Sequence, residues 1–213
     1  PRELSSRISE AKNQSLDALK YLHDGYAPKE VVAAYQAYQK QLKQCNALDF
    51  DDLLLLVMQL FTQYPEVLEK YQRKFRYILV DEYQDTNFAQ YKLTSMLADG
   101  YKNICVVGDD DQSIYGWRGA NIKNILEFHE SFENVKVVKL EKNYRSTNQI
   151  LKAANDLIEH NRGRLGKVLE STKGDGKAIE VLESIDENSE ALSIARKIKK
   201  LILSGVSPKD IAV

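Results

Sequence analysis

Twice in this chain a short apolar run stops at carboxylates. Tyr77-Ile78-Leu79-Val80 runs into Asp81-Glu82, and Ile104-Cys105-Val106-Val107 runs into Gly108-Asp109-Asp110-Asp111. Apolar runs this short, bounded by polar residues, read as buried strands rather than as helices, which need roughly ten or more residues. Further short runs, Val135 to Leu140, Ile179 to Leu182 and Ile211 to Val213, alternate with helical stretches. The alternation predicts an α/β fold, a parallel sheet covered by helices. In an open parallel sheet, ligands sit beyond the carboxyl ends of the strands, which is where both acidic loops fall.

The residue types in those loops suit nucleotide chemistry. Mg²⁺ bound with a triphosphate keeps most of its waters and takes only one or two protein carboxylates. Asp81 therefore suits the ion, and Glu82 suits an attacking water. For this dipeptide alone, a solvated strand end without chemistry stays open as the alternative. Gln112 could contact a γ-phosphate or the water, or be an ordinary loop glutamine. Tyr115, Trp117 and Arg118 put two aromatics and a guanidinium in a loop flanked by Gly116 and Gly119. Stacking on bases, worth ~1–3 kcal/mol per base and tolerant of sequence, is one use for them; a core role for Trp117 is the other. Two such loops in series point to an ATP-driven nucleic-acid motor.

The 213 residues correspond to one large or two modest domains. With a net charge of −1 there is no global basic footprint, so any nucleic-acid contact must be a local patch or a stacking surface. Cys45 and Cys105 have no metal-binding spacing and are expected to be reduced and buried. His23, His129 and His160 form no ligand set. No apolar run reaches the ~18 residues of a membrane span, and the N-terminus lacks a signal-peptide layout. A cytoplasmic protein with no membrane contact is expected. Residues 1–48 predict two helices, with Pro28 in a first turn and Val31, Tyr35, Tyr38 and Leu42 along one face. Asp49 is placed to cap the next helix, and Leu53 to Met58, apolar all round, predicts deep burial. The basic, glycine-rich stretch from Arg162 to Lys177 is expected to be exposed and mobile. The chain starts at Pro1 and stops inside an apolar run at Asp210-Ile211-Ala212-Val213, so a piece of a longer protein is expected.

Asp81-Glu82-Tyr83-Gln84-Asp85-Thr86-Asn87, Gly108 to Ala120 and Leu140-Glu141-Lys142-Asn143-Tyr144-Arg145-Ser146-Thr147 resemble, in order and spacing, motifs II, III and IV of UvrD/PcrA/Rep-type superfamily 1 DNA helicases. Leu48-Asp49-Phe50-Asp51-Asp52-Leu53 is similar to a further element of that group. The resemblance implies a RecA-like sheet of P-loop NTPase type, incomplete, with an N-terminal helical piece. Residues 1–48 would be the end of helical subdomain 1B, 49–145 part of motor domain 1A, and 146–213 the start of domain 2A. It further implies ATP and Mg²⁺ as cofactors, with Asp81 as the metal ligand and Glu82 as the base. Gln112 would contact the γ-phosphate, Tyr144 would stack on adenine, and Arg145 would serve as an arginine finger that requires domain closure. Phe50, Tyr115, Trp117 and Arg118 would line a channel for single-stranded DNA. The implied parent unwinds DNA with 3′ to 5′ polarity, acting on single strands and on single-strand/duplex junctions, with repair or replication proteins as possible partners. No Gly-x-x-x-x-Gly-Lys-Ser/Thr phosphate loop occurs in these 213 residues, so little turnover is expected from the chain alone. Two alternatives stay open: a RecB/AddA-type helicase-nuclease, from which Trp117 tilts the reading away, and a remnant that only binds nucleic acid.

Overall fold

A computed structural model describes residues 2–23 and 28–213; the side chains of Leu22 and His23 lie outside the described part. The chain divides into two compact units, one of residues 1–139 with 158–167 and one of residues 140–157 with 168–213.

In the first unit, α1 (Arg2–Asn13), α2 (Ala18–His23) and α3 (Lys29–Gln44) enclose a small core of Ile8, Ala11, Ala18, Tyr21, Val32 and Tyr35. The described residues of this region hold three helices rather than the expected two, and Pro28 is the residue before α3 rather than inside its first turn. α4 (Asp52–Gln63) is capped from Asp49, whose Oδ1 accepts the Asp52 N–H at 2.9 Å while Asp52 Oδ2 accepts the Asp49 N–H at 3.3 Å. This reciprocal arrangement satisfies two otherwise orphaned donors. α4 buries Leu55, Met58 and Phe61, the first two against Ala89, but Leu53, Leu56 and Leu60 stay exposed. Deep burial all round is therefore not found: α1, α5 and α6 pack against the helix, but the face of Leu53, Leu56 and Leu60 stays open among the described residues.

α5 (Pro65–Lys74) leads into β1 (Ile78–Val80), which pairs in parallel with β2 (Ile104–Val106), with Leu79 opposite Cys105. α6 (Phe88–Ala98) crosses between them, started by a capping box of Asn87 and Gln90. Ile78, Val80, Ile104 and Val106 are half-buried, whereas Leu79 is 78% exposed on the other face. Helices therefore cover one side of this sheet, not both. Cys105 lies on the open face and Cys45 at the end of α3, so both thiols are free and exposed rather than buried. Two short helices, α7 (Lys123–Leu126) and α8 (Phe128–Ser131), close the unit's linear order.

The second unit contains β3 (Lys142–Asn143), α9 (Asn148–Ile158), β4 (Glu170–Ser171) and α10 (Glu187–Leu203), with β3 and β4 parallel. Asp186 caps α10 by accepting the Ser189 N–H at 2.7 Å. Expected strands at 135–140, 179–182 and 211–213 are absent from the described ladders. A strand persists only when a neighbour takes its N–H and C=O groups; these runs have no such neighbour, and Val137, Val181 and Val213 are exposed.

Candidate functional site

Asp81 and Glu82 emerge into solvent at the end of β1. Glu82 sits in the left-handed region at φ 50°, ψ 41°, a conformation that is costly for a residue with a Cβ and that clusters at functional sites. Its N–H donates to Asp81 Oδ1 at 2.9 Å, and the chain then turns through Tyr83–Asp85. Tyr83 is fully buried, edge-on to Phe128 at 5.6 Å, and burial pushes its hydroxyl pKa up to about 12. Tyr83 anchors the loop through its buried ring.

Gln84 is the residue that sequence reasoning missed. It is 1% exposed, donates from Nε2 to Glu82 Oε2 at 2.8 Å, and accepts the Asp109 N–H on Oε1 at 3.0 Å. One side-chain amide thus joins the two acidic loops. Gly108 makes room for it: a Cβ there would lie 2.6 Å from Gln84 Oε1 and 2.8 Å from Ile125 Cδ1. A buried-type position occupied by a polar amide, paired with a glycine after the next strand, was the available signal.

The three carboxylates of Asp109, Asp110 and Asp111 have oxygens within 4.8 Å of one another, but each is already engaged. Lys167 pairs with Asp109, whose Oδ2 also accepts from Gln112 Nε2 at 2.6 Å. Asp110 accepts the Leu165 N–H at 2.7 Å, and Arg164 grips Asp111 through two bonds of 2.8 and 2.6 Å. Two cations, Arg164 and Lys167, offset two of the three charges from within the protein. By contrast, Asp81 Oδ2 takes no hydrogen bond among the described residues, leaving a hard oxygen donor suited to Mg²⁺. The Arg162 to Lys177 stretch, expected to be free, is pinned at Arg164 and Lys167 because the acid triplet needs counter-charge. Gln112 turns its amide to Asp109.

Tyr115, Trp117 and Arg118 are gathered on one exposed turn. Trp117 is 75% exposed, which removes the core reading. The Arg118 guanidinium lies 4.5 Å from the Trp117 ring centre and 5.2 Å from that of Tyr115, a cation–π arrangement that ties the three side chains together. Gly119, at φ 85°, closes the turn. Phe50 is 89% exposed on the Asp49–Asp52 turn. Tyr144 and Arg145 belong to the second unit. Asn143 Oδ1 accepts the N–H groups of Arg145 and Ser146 at 2.9 and 2.8 Å, so Tyr144 and Arg145 project outward.

Asp49, Asp109, Glu180 and Asp186 are held below the usual carboxylate range, the first two at half-buried positions. Burial works against charge on Asp49, but Lys12, the Asp52 N–H and the Tyr38 hydroxyl reverse it and hold the group below the usual range. Burial likewise opposes charge on Asp109, and Lys167, Gln112 and the Asp111 N–H outweigh it. A depressed folded pKa contributes stability that is present above the unfolded value of about 3.9 and lost as pH falls through the folded one. Urea midpoints should hold from neutrality to about pH 5 and fall below it. Asp49→Asn should make that fall shallower, and an unchanged slope would remove Asp49 from the acid response.

Residues 1–133 match the family model described as the UvrD/REP helicase N-terminal domain, and residues 138–213 the UvrD-like helicase C-terminal domain. Over its whole length the chain is 47% identical to proteins named ATP-dependent DNA helicase PcrA from Staphylococcus epidermidis and from Staphylococcus aureus. It spans 30% of the length of each of these relatives. With two helicase domain models covering nearly every residue, the chain belongs to the UvrD/REP helicase family, whose domains are of the P-loop NTPase superfamily.

Proposed function

We propose that this chain is part of an ATP-dependent DNA helicase that moves 3′ to 5′ along single-stranded DNA and opens single-strand/duplex junctions in repair or replication, in the cytoplasm. The observation that carries the reading is the Gln84 bridge, which ties the carboxylate of Glu82 to the loop that bears Tyr115, Trp117 and Arg118. One buried amide thus links the acid to the start of the loop that leads into the aromatic turn. In this reading residues 1–48 close a helical subdomain, 49–145 form part of a RecA-like motor domain and 146–213 begin the next. The staphylococcal PcrA relatives favour this over a RecB/AddA-type helicase-nuclease.

Within the motor, Glu82 accepts the proton of the attacking water and Gln112 contacts the terminal phosphate. Tyr144 stacks on the adenine and Arg145 stabilises charge on the transferring group. Mg²⁺ held by Asp81 would offset phosphate charge. Tyr115, Trp117, Arg118 and Phe50 take the single strand, giving a sequence-tolerant surface as stacking platforms do.

ATP hydrolysis by the full-length protein, measured with and without single-stranded DNA, tests the reading: hydrolysis stimulated by DNA is expected, and hydrolysis indifferent to DNA would contradict it. Trp117→Ala should weaken single-strand binding by about 1–3 kcal/mol with ATP affinity kept. A loss of ATP affinity instead would move Trp117 to the nucleotide site.

A further inference from the structure

Lys12 is the one α1 side chain whose burial is unexpected. Its side chain is fully buried, yet it lies on the same helix face as Ile8 and Ala11. It ion-pairs with Asp49 at 2.6 Å and with Asp52 at 2.8 Å. Tyr38 Oη donates to Asp49 at 3.0 Å and Gln39 Nε2 to Asp52 at 3.0 Å. The next residue, Asn13, donates to Asp51 Oδ1 at 3.2 Å and accepts from Asn87 Nδ2 at 2.6 Å. Three carboxylates thus crowd the four residues of the Asp49–Asp52 turn, and α1 supplies a partner for each. The fourth residue of that turn is the exposed Phe50.

The far side of this network reaches the other aromatic turn. Asn87 forms an antiparallel bridge with Ala120, and the Asn121 N–H donates to the Thr86 carbonyl at 3.0 Å. A Cβ built on Gly119, which closes the Trp117 turn, would lie 4.0 Å from the Asn13 Cβ. Asn13 is therefore in register with both turns. Without Lys12 and Asn13, mutual repulsion of Asp49, Asp51 and Asp52 would splay the turn and release Phe50 from any fixed orientation.

We propose that Lys12 and Asn13 are positioning residues that set Phe50 in register with the Trp117 turn, so that both aromatics engage one DNA strand. This rests on the reading of Phe50 and Trp117 as single-strand contacts. Neither Lys12 nor Asn13 touches the strand; each acts through the turn.

Double-mutant cycles on the full chain test it, using anisotropy of a fluorescent oligothymidine. Phe50→Ala alone should weaken binding on the order of 5- to 150-fold. In a Lys12→Met or Asn13→Ala background the same substitution should cost less than about twofold, while Trp117→Ala keeps its full effect; additivity is the expectation for independent sites. General loosening of the fold would erode both aromatic contributions alike. Should Lys12→Met lose its helical circular dichroism, Asn13→Ala, which leaves the buried ion pair in place, decides alone. A full Phe50→Ala effect in the substituted background overturns the positioning role. If neither Phe50→Ala nor Trp117→Ala weakens binding in the unmodified chain, the DNA reading falls, and the positioning role falls with it.

Discussion

Arg145→Ala in the full-length helicase should lower kcat by about 10³–10⁵, the range measured for arginine fingers in phosphoryl transfer, with single-strand affinity unchanged. The local structure shows how the side chain would be carried. Asn143 fixes the backbone of Arg145 and Ser146 through two hydrogen bonds, and Lys173 Nζ holds the Arg145 carbonyl at 2.9 Å. The guanidinium is thus carried on a rigid turn while remaining exposed, with Tyr144, 71% exposed, beside it. Arg145→Lys should not restore the rate, because an ammonium lacks the planar fork that meets two phosphate oxygens at once. Rapid-quench kinetics separate the chemical step from release, and a kcat within tenfold of the parent would remove Arg145 from the reaction.

Glu82→Gln should lower turnover by about 10²–10⁴, the usual contribution of a general base, and leave ATP and DNA binding intact. Shape and hydrogen bonding survive this change, since a glutamine oxygen still accepts from Gln84 Nε2; what is lost is the capacity to take a proton. Single-turnover hydrolysis beside equilibrium ATP binding distinguishes the cases. Loss of binding together with turnover would mean that Glu82 holds the nucleotide or its metal, a role assigned here to Asp81.

The loops at the strand ends were legible in sequence because apolar runs stopping at Asp81 and at Gly108 mark the carboxyl edge of a parallel sheet. For Trp117 the sequence left base stacking and a core role both open, and Phe50 entered only through the helicase resemblance; the structure exposes both. Other features depended on pairings that linear reading does not supply. The runs at 135–140, 179–182 and 211–213 carry strand composition, yet a ladder requires a second strand. Leu53 to Met58 looks uniformly apolar, but burial depends on how many sides of α4 meet a neighbour. The pinning of Arg164 and Lys167 required seeing that Asp109, Asp110 and Asp111, some fifty residues earlier, need counter-charge. Lys12 left a faint signal, a lone basic residue following Ile8 and Ala11 on a helix face, and its partners lie in the turn around Phe50. Gln84 left a similar one in the company of Gly108.

Trp117 is the only tryptophan in the chain, so its emission reports on the proposed single-strand surface without a label. Titrating the chain with oligothymidine while following that emission is the most direct test of DNA binding at the aromatic turn. Saturable quenching is expected, weakening as salt is raised because phosphate contacts release counterions. Emission that stays flat through concentrations at which a labelled oligothymidine is bound would place the DNA elsewhere on the protein. Flat emission with no binding at all would contradict the assignment of this chain to a DNA motor.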